Sequence, residues 1–214
     1  MKKIEVSPIL PASPNPSMQD LSSLMDSQFR HPIDHSPWPA FPQEPRTSFT
    51  IAHIKDAILL KFYVAEQEPR ITFYTANDPV YKDSCVEFFI SWDAGRSYYN
   101  LESNAIGTCL IGYGSGRENR GALSPELIRT IRHYSSLPSS SQDEPSSGWS
   151  LTLRIPLEIF IHDSITTLSA TAAKANFYKC GDDCAAPHYL AWNNIATPNP
   201  DFHQSRFFGD LLFL

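Results

Sequence analysis

The chain has 214 residues, with 17 Lys+Arg against 23 Asp+Glu and a formal net charge of −6. That length accommodates one large domain with a core of ordinary size, and 42 % apolar with 12 % aromatic residues excludes a chain that is unfolded as a whole. The acidic balance without a basic block argues against nucleic acid or an anionic membrane surface as partner, and no apolar run approaches the ~18 residues of a membrane span.

Met1-Lys2-Lys3 has the charge of an export leader, but Glu5, Ser7 and Pro8 interrupt the stretch that would have to be apolar. The expectation is a cytoplasmic chain, or an extracytoplasmic one whose leader has been removed. Nine of the 18 prolines fall within residues 1–45, and the first glycine is Gly95. Segments such as Pro11-Ala12-Ser13-Pro14-Asn15-Pro16 cannot build a helix interior or a central strand. Residues 1–45 therefore read as a Pro-rich arm with one short helix around Met18–Phe29, fixed to the body by Trp38 and Phe41.

From residue 46 the apolar period becomes two. Phe49 and Ile51 alternate with Thr50 and Ala52, and Ile58, Leu60, Phe62 and Val64 with Leu59, Lys61 and Tyr63. Val86, Phe88 and Ile90 share one face and Glu87 and Phe89 the other; Tyr99, Leu101 and Ser103 oppose Asn100, Glu102 and Asn104. Gly112-Tyr113-Gly114-Ser115-Gly116 reads as a hairpin turn, and the Ser/Pro-rich stretch 135–148 as a solvated loop. Trp149, Leu151, Leu153 and Ile155 alternate with Ser150, Thr152 and Arg154. Pro156 to Phe160 suits a single helical turn opened by proline. Ala175 and Phe177 oppose Asn176 and Tyr178, and Phe207 to Leu214 forms a last strand. Such alternation marks half-buried strands. The prediction is an all-β, jelly-roll-like β-sandwich of about eight to ten strands over residues 46–214.

The polar faces of these strands carry Glu87, Asn100, Glu102, Asn104, Arg154, Asn176 and Tyr178, with Tyr81 and Trp192 in nearby loops. Amides and carboxylates offer directed donors and acceptors that match adjacent sugar hydroxyls. Flat aromatic rings present an apolar surface to the C–H face of a pyranose. The mixture is what a carbohydrate groove requires.

The run Val80-Tyr81-Lys82-Asp83-Ser84-Cys85-Val86-Glu87-Phe88-Phe89-Ile90 resembles the Asp-Ser-Val-Glu-aromatic strand of family 9 carbohydrate-binding modules. Tyr98 to Gly107 follows where that family places its next strand. The segments Pro187 to Asn193 and Pro200 to Leu211 are similar to its C-terminal signature. The likeness covers about 45–214 and is nearest to the family-9-like subgroup of Bacteroidetes-type bacteria. It implies a non-catalytic module that holds a mono- or oligosaccharide between two aromatic side chains over polar groups, often with structural calcium. Carried over by position, Glu87 matches the acidic ligand, Tyr81 one aromatic clamp and Trp192 the second, with Asn193 beside it. Asn100, Glu102 and Asn104 fall on the ligand-bearing strand, and Asn176 and Tyr178 line the same floor. That strand lacks the arginine the family carries, for which Arg96 and Arg117 are the substitutes.

Three other readings fit single features. Glu87 and Glu102 are candidates for a glycosidase pair. Cys180-Gly181-Asp182-Asp183-Cys184-Ala185-Ala186-Pro187-His188 places two thiols and an imidazole at a zinc-like spacing, with Asp182, Asp183 or His203 as a fourth ligand; a Cys180–Cys184 disulfide is an alternative, and a buried Cys180 with a loop Cys184 is the first reading. Asp78, Asp83, Asp182, Asp183 and Asp201 are loop carboxylates available to calcium, although no segment spells an EF-hand. A protein-interaction sandwich without sugar binding is the third.

Overall fold

The computed structural model describes residues 1–138 and 148–214. Along the chain the strands are β1 (Lys3–Val6), β2 (His31–Ile33), β3 (Thr47–Ile54), β4 (Ala57–Val64), β5 (Cys85–Ser91), β6 (Tyr98–Asn104) and β7 (Cys109–Gly114). They continue with β8 (Arg120–Ala122), β9 (Arg132–Ser136), β10 (Trp149–Pro156), β11 (Ala172–Cys180), β12 (Tyr189–Ala191) and β13 (Gly209–Phe213). The helices are α1 (Met18–Met25) and the four-residue α2 (Pro125–Ile128), with single 3-10 turns at Val80–Lys82, Leu157–Ile159 and Ser205–Phe207.

Two sheets form a β-sandwich. One runs in the order β1-β13-β11-β5-β6-β7-β8 with β12 also paired to β11; the other runs β2-β3-β4-β10-β9. The expected alternation holds where it was clearest. Val86, Phe88, Ile90, Leu101 and Phe177 on the first sheet meet Phe49, Leu60, Phe62, Leu151 and Leu153 on the second in one buried cluster. At its centre Phe49 stacks on Phe177 across the sheets, with ring centroids 3.7 Å apart.

Residues 1–45 are more than an arm laid on a finished body, because they add a strand to each sheet. β1 pairs in parallel with β13 through Lys3↔Asp210 to Val6↔Phe213, and β2 pairs antiparallel with β3 through His31↔Phe49 to Ile33↔Thr47. Both are edge strands, the one sheet position that tolerates proline, and β2 contains Pro32. Trp38 is buried as expected, its Nε1 donating to Thr197 O at 3.0 Å. The helix expected around Met18–Phe29 is α1, which ends at Met25, and Ser17 starts it with a reciprocal capping box to Asp20.

α1 covers the outer face of the five-stranded sheet and explains why Leu59 and Lys61, on that outward face, are both buried. Met18, Leu21 and Met25 pack on Ala52 and Leu59. The Lys61 ammonium is held by Asp26 Oδ1 at 2.7 Å and Ser22 O at 3.1 Å, at the end of the helix where carbonyls and a carboxylate offer acceptors. Sequence periodicity overlooked the short strands β7, β8 and β9, whose glycines, arginines and polar residues interrupt alternation, and β12, whose three residues are too few to show one. The loop expected over 135–148 begins within β9, and residues 139–147 lie outside the described residues.

Leu21 is 1 % exposed. Leu21→Ala is expected to lower unfolding stability by ~2–4 kcal/mol, and Ser17→Ala by ~1 kcal/mol through loss of the cap. Chemical denaturation of the three proteins checks both values.

Candidate functional site

Directly opposite residues of antiparallel strands point to the same side of a sheet, so the registers of β11, β5, β6 and β7 lay out the outer face row by row. One row is Cys180↔Cys85↔Asn104 and the next is Tyr178↔Glu87↔Glu102↔Leu110. Above these rows lies a cleft of about 390 Å³, within the size range of small-molecule sites. Glu87, Glu102 and Cys180 form its floor. Tyr81, from the 3-10 turn before β5, and Tyr189, from β12, supply half-buried aromatic rings, and Arg117, Arg120, Asp182, Phe202 and His203 complete most of the lining.

The floor is buried and incompletely bonded. Glu87 and Glu102 are each 3 % exposed. Glu102 Oε1 accepts from Asn100 Nδ2 at 2.8 Å, whereas Glu102 Oε2 and Asn100 Oδ1 have no partner. Glu87 Oε1 accepts from Cys180 Sγ at 3.0 Å. Burial lifts the Glu102 carboxyl to about 7, against the pull of Asn100 and Arg120. Burial, with Glu102 alongside, raises Glu87 well above the ordinary carboxylate range. Two neighbouring carboxyls in low dielectric resist ionising together.

The wall is held by a second network. His203 Nδ1 lies 2.9 Å from both Tyr98 Oη and Arg120 Nη1, and burial, followed by the Arg120 charge, lowers this imidazole to about 3, so it stands neutral. The arginine crosses β7 at Gly112, where a Cβ would sit 2.7 Å from Asn100 Oδ1 and 3.2 Å from Arg120 Cδ. Phe202 stacks on Tyr178 with centroids 4.2 Å apart, and the Tyr178 hydroxyl donates to Phe202 O at 3.2 Å.

The structure thus brings Tyr81, Glu87 and Glu102 together, with Asn100 bonded to Glu102 beside them. Tyr178 lies fully buried and supports Phe202. The other expected ligands are elsewhere. Asn104 is consumed by bonds to Phe73 O, Asp83 Oδ2 and Thr108 N. Asn176 is consumed by Phe177 N and by both backbone groups of Asn193. Asn193 bonds Lys2 N and Phe207 O. Trp192 is corrected outright: its indole is 2 % exposed and packs between the sheets, 5.5 Å from Phe177 and 6.1 Å from Phe49. β12 explains the inversion, since Tyr189 and Ala191 face outward and Leu190 and Trp192 face the core. The shared parity of Leu190 and Trp192 was the available signal. Of the two substitute arginines Arg117 lines the cleft, while Arg96 is exposed and donates to Asp93 O at 3.1 Å. Arg120, three residues further on, was missed because it lies on a three-residue edge strand.

A larger groove of about 670 Å³ lies at the end of the five-stranded sheet among Arg30, Arg46, Tyr63 and Trp149. None of its lining residues has a buried side-chain atom without a partner. The outer-face cleft is the stronger site.

The sequence profile of carbohydrate-binding family 9 matches residues 19–213. The chain belongs to carbohydrate-binding family 9. The family is one of non-catalytic binding modules. A candidate carbohydrate-binding protein from Bacteroides uniformis is 35 % identical, with a TM-score of 0.89 over 100 % of this chain and 99 % of that one. A family 9 module from Caldicellulosiruptor kristjanssonii, solved in complex with cellotriose, has a TM-score of 0.63 at 16 % identity over 99 % of this chain and 93 % of that one. A family 9 module from the same organism in complex with glucose has a TM-score of 0.57 at 15 % identity over 100 % and 96 %. These two, at such low identity, share the fold. Among curated proteins none matches the chain.

The calcium that the family resemblance implied does not fit the aspartates considered for it. Asp83 is taken up by Thr72 N, Thr72 Oγ1, Phe73 N and Asn104. Asp78 accepts from Tyr74 N and Thr75 N, Asp201 from His203 N and Gln204, and Asp183 pairs with Lys82. Neither these five nor the predicted Cys180/Cys184/His188 set converges into a metal-ligating group among the described residues. Cys184 instead lies 3.7 Å from Ser84 Oγ, and His188 Nε2 is 2.7 Å from Lys179 Nζ. Cys180 and Cys184 are free thiols.

The raised carboxyl has a pH consequence. A carboxyl whose folded pKa lies above its unfolded value of 4.5 contributes stability below that value and loses it as pH rises through about 7. His203, lowered from 6.5 to about 3, works in the opposite direction and withdraws stability as pH falls. Glu102→Gln keeps an acceptor for Asn100, removes the first effect and relieves Glu87 of a neighbouring charge, while leaving the His203 effect in place. In metal-free protein, its melting temperature relative to wild type is expected to climb on going from about pH 5 to about pH 8, by on the order of 5 °C. A difference independent of pH would refute the buried-carboxyl assignment.

Proposed function

We propose that the outer-face cleft binds one sugar ring of a mono- or oligosaccharide without cleaving it. The C–H face of the ring rests on Tyr81 and Tyr189, and its hydroxyls bond to Glu87, Glu102 and Arg120. The observation that carries the reading is the unpartnered Glu102 Oε2, buried at the floor of a cleft that two half-buried tyrosines line, with Asn100 bonded to the other Glu102 oxygen behind it. A desolvated acceptor without a partner is costly, and adjacent hydroxyl donors relieve it while the rings exclude water. Arg120 supplies donors to the same space. Tyr189 takes the role that the family pattern had suggested for Trp192.

The family assignment and the cellotriose and glucose complexes of the two Caldicellulosiruptor modules support a sugar as ligand. Binding without cleavage is supported by the family, which is one of non-catalytic binding modules.

Calorimetric titration with a panel of neutral mono- and disaccharides tests the proposal. Binding is expected for at least one sugar. Tyr81→Ala, Tyr189→Ala and Glu87→Gln are each expected to weaken it about tenfold or more, ~1.4 kcal/mol. Trp192→Ala is expected to lower melting temperature instead, through the core cavity it leaves. No heat from any sugar would overturn the proposal and favour a protein-interaction sandwich.

A further inference from the structure

Cys85 and Cys180 are direct cross-strand partners, and Glu87 follows Cys85 on the same face. Their ligand atoms all lie within 4.8 Å of one another. All three side chains are buried, and neither cysteine is in a disulfide. Two sulfurs around a tetrahedral zinc sit about 3.8 Å apart and a sulfur and an oxygen about 3.5 Å, from bond lengths of ~2.3 and ~2.0–2.2 Å. The trio therefore needs only small adjustments to take an ion. A second observation points the same way. Glu102, directly across from Glu87, is 97 % buried by its 3 % exposure, and its Oε2 is unpartnered. Cys180, Glu87 and Glu102 all line the cleft, which gives an ion a route in from solvent.

We propose that the cleft floor is a site for a thiophilic divalent cation of the zinc class, bound by Cys85 Sγ, Cys180 Sγ and Glu87, with a water from the cleft as the fourth donor and Glu102 Oε2 as the acceptor that orients this water. Two thiolates select against calcium and magnesium, which prefer oxygen shells. On binding, each thiol releases its proton to solvent and the metal–sulfur bonds replace two S–H bonds, so uptake is favoured as pH rises. Glu87 and Glu102 are shared with the sugar reading, so an ion and a sugar hydroxyl compete for the same oxygens, whereas Cys85 and Cys180 serve the ion alone and their tests need no sugar.

Cobalt titration of the reduced, metal-free full chain provides the first test. One Co²⁺ per chain is expected, with thiolate-to-cobalt charge-transfer absorption and tetrahedral visible bands, both displaced by Zn²⁺ and not by Ca²⁺ or Mg²⁺. Cys180→Ser and Cys85→Ser are each expected to weaken cobalt binding at least a hundredfold, whereas Cys184→Ser leaves it within twofold. Since a buried Cys→Ser change can unfold the chain, X-ray absorption at the zinc edge of the wild-type protein gives a variant-free reading. Two sulfurs at ~2.3 Å with oxygen at ~2.0 Å are expected. A first shell with no sulfur or with one, or cobalt bands that persist in folded Cys180→Ser, would overturn the proposal, whatever the sugar titration shows.

Discussion

The cleft depends on one packing constraint: the inner faces of β11, β5 and β6 are filled with Phe177, Val86, Phe88, Ile90 and Leu101, which close against the second sheet. Side chains on a strand alternate with a period of two, so a one-residue slip would send these groups to the other side and bring Glu87 and Glu102 into the core. The apolar cluster therefore sets the register, and the register sets Glu87 opposite both Tyr178 and Glu102. The outer floor is a by-product of the inner face. Its backbone positions are fixed by packing on the far side of the sheet, and single outer-face bonds, Asn100 to Glu102 and Cys180 to Glu87, hold the two buried carboxyls beside each other.

The N-terminal segment acts on the same frame from its edges. Proline cannot donate to a ladder, which keeps residues 1–45 out of the sheet centres but leaves them suited to β1 and β2 at the rims. β1 runs parallel to β13 and thereby covers the edge of β13 that faces away from β11. Lys2 N donates to Asn193 Oδ1 and Asp210 N to Lys2 O, so the first residues tie down the segment that follows Trp192. His35 exchanges both backbone bonds with Ala191. The orientation of β12, and with it the outward turn of Tyr189, thus rests partly on chain from the opposite end of the sequence.

What could be read in the sequence follows from where the physics is local. The long strands were legible because alternation over seven or eight residues is a local pattern, and Glu87 and Glu102 were legible with them. The three-residue strands β8 and β12 have too few positions to show a period, so Arg120 was missed and Trp192 was assigned to the wrong face. Proline excluded central strands at the N-terminus correctly, yet the pairing of β1 with β13 joins residues about two hundred positions apart. Nothing in either segment alone specifies such a contact. The Cys180/Cys184/His188 spacing carries no metal site for the same reason: β11 turns Cys180 toward Cys85 and Glu87, which are far from it in sequence, and the plain reading of a buried Cys180 and a loop Cys184 holds.

The asparagines show the distinction that composition cannot make. Asn100, Asn104, Asn176 and Asn193 looked equivalent as sugar ligands, since each offers a planar amide on or near a polar face. In the fold, three of them have spent their hydrogen bonds on backbone groups or Asp83: Asn104 ties the segment before β5 to the turn after β6, Asn176 clamps Asn193, and Asn193 fastens the N-terminus. A ligand could engage those amides only by displacing bonds that hold loops in place. Asn100 and Glu102 bond one another through one atom each and keep one acceptor apiece without a partner. A binding floor needs such residual capacity, because a donor arriving at a satisfied amide gains little while one arriving at an unsatisfied buried oxygen removes a standing penalty. By that criterion Glu102 is the floor residue with capacity to spare for a ligand, and the surrounding amides are the scaffold that holds it there.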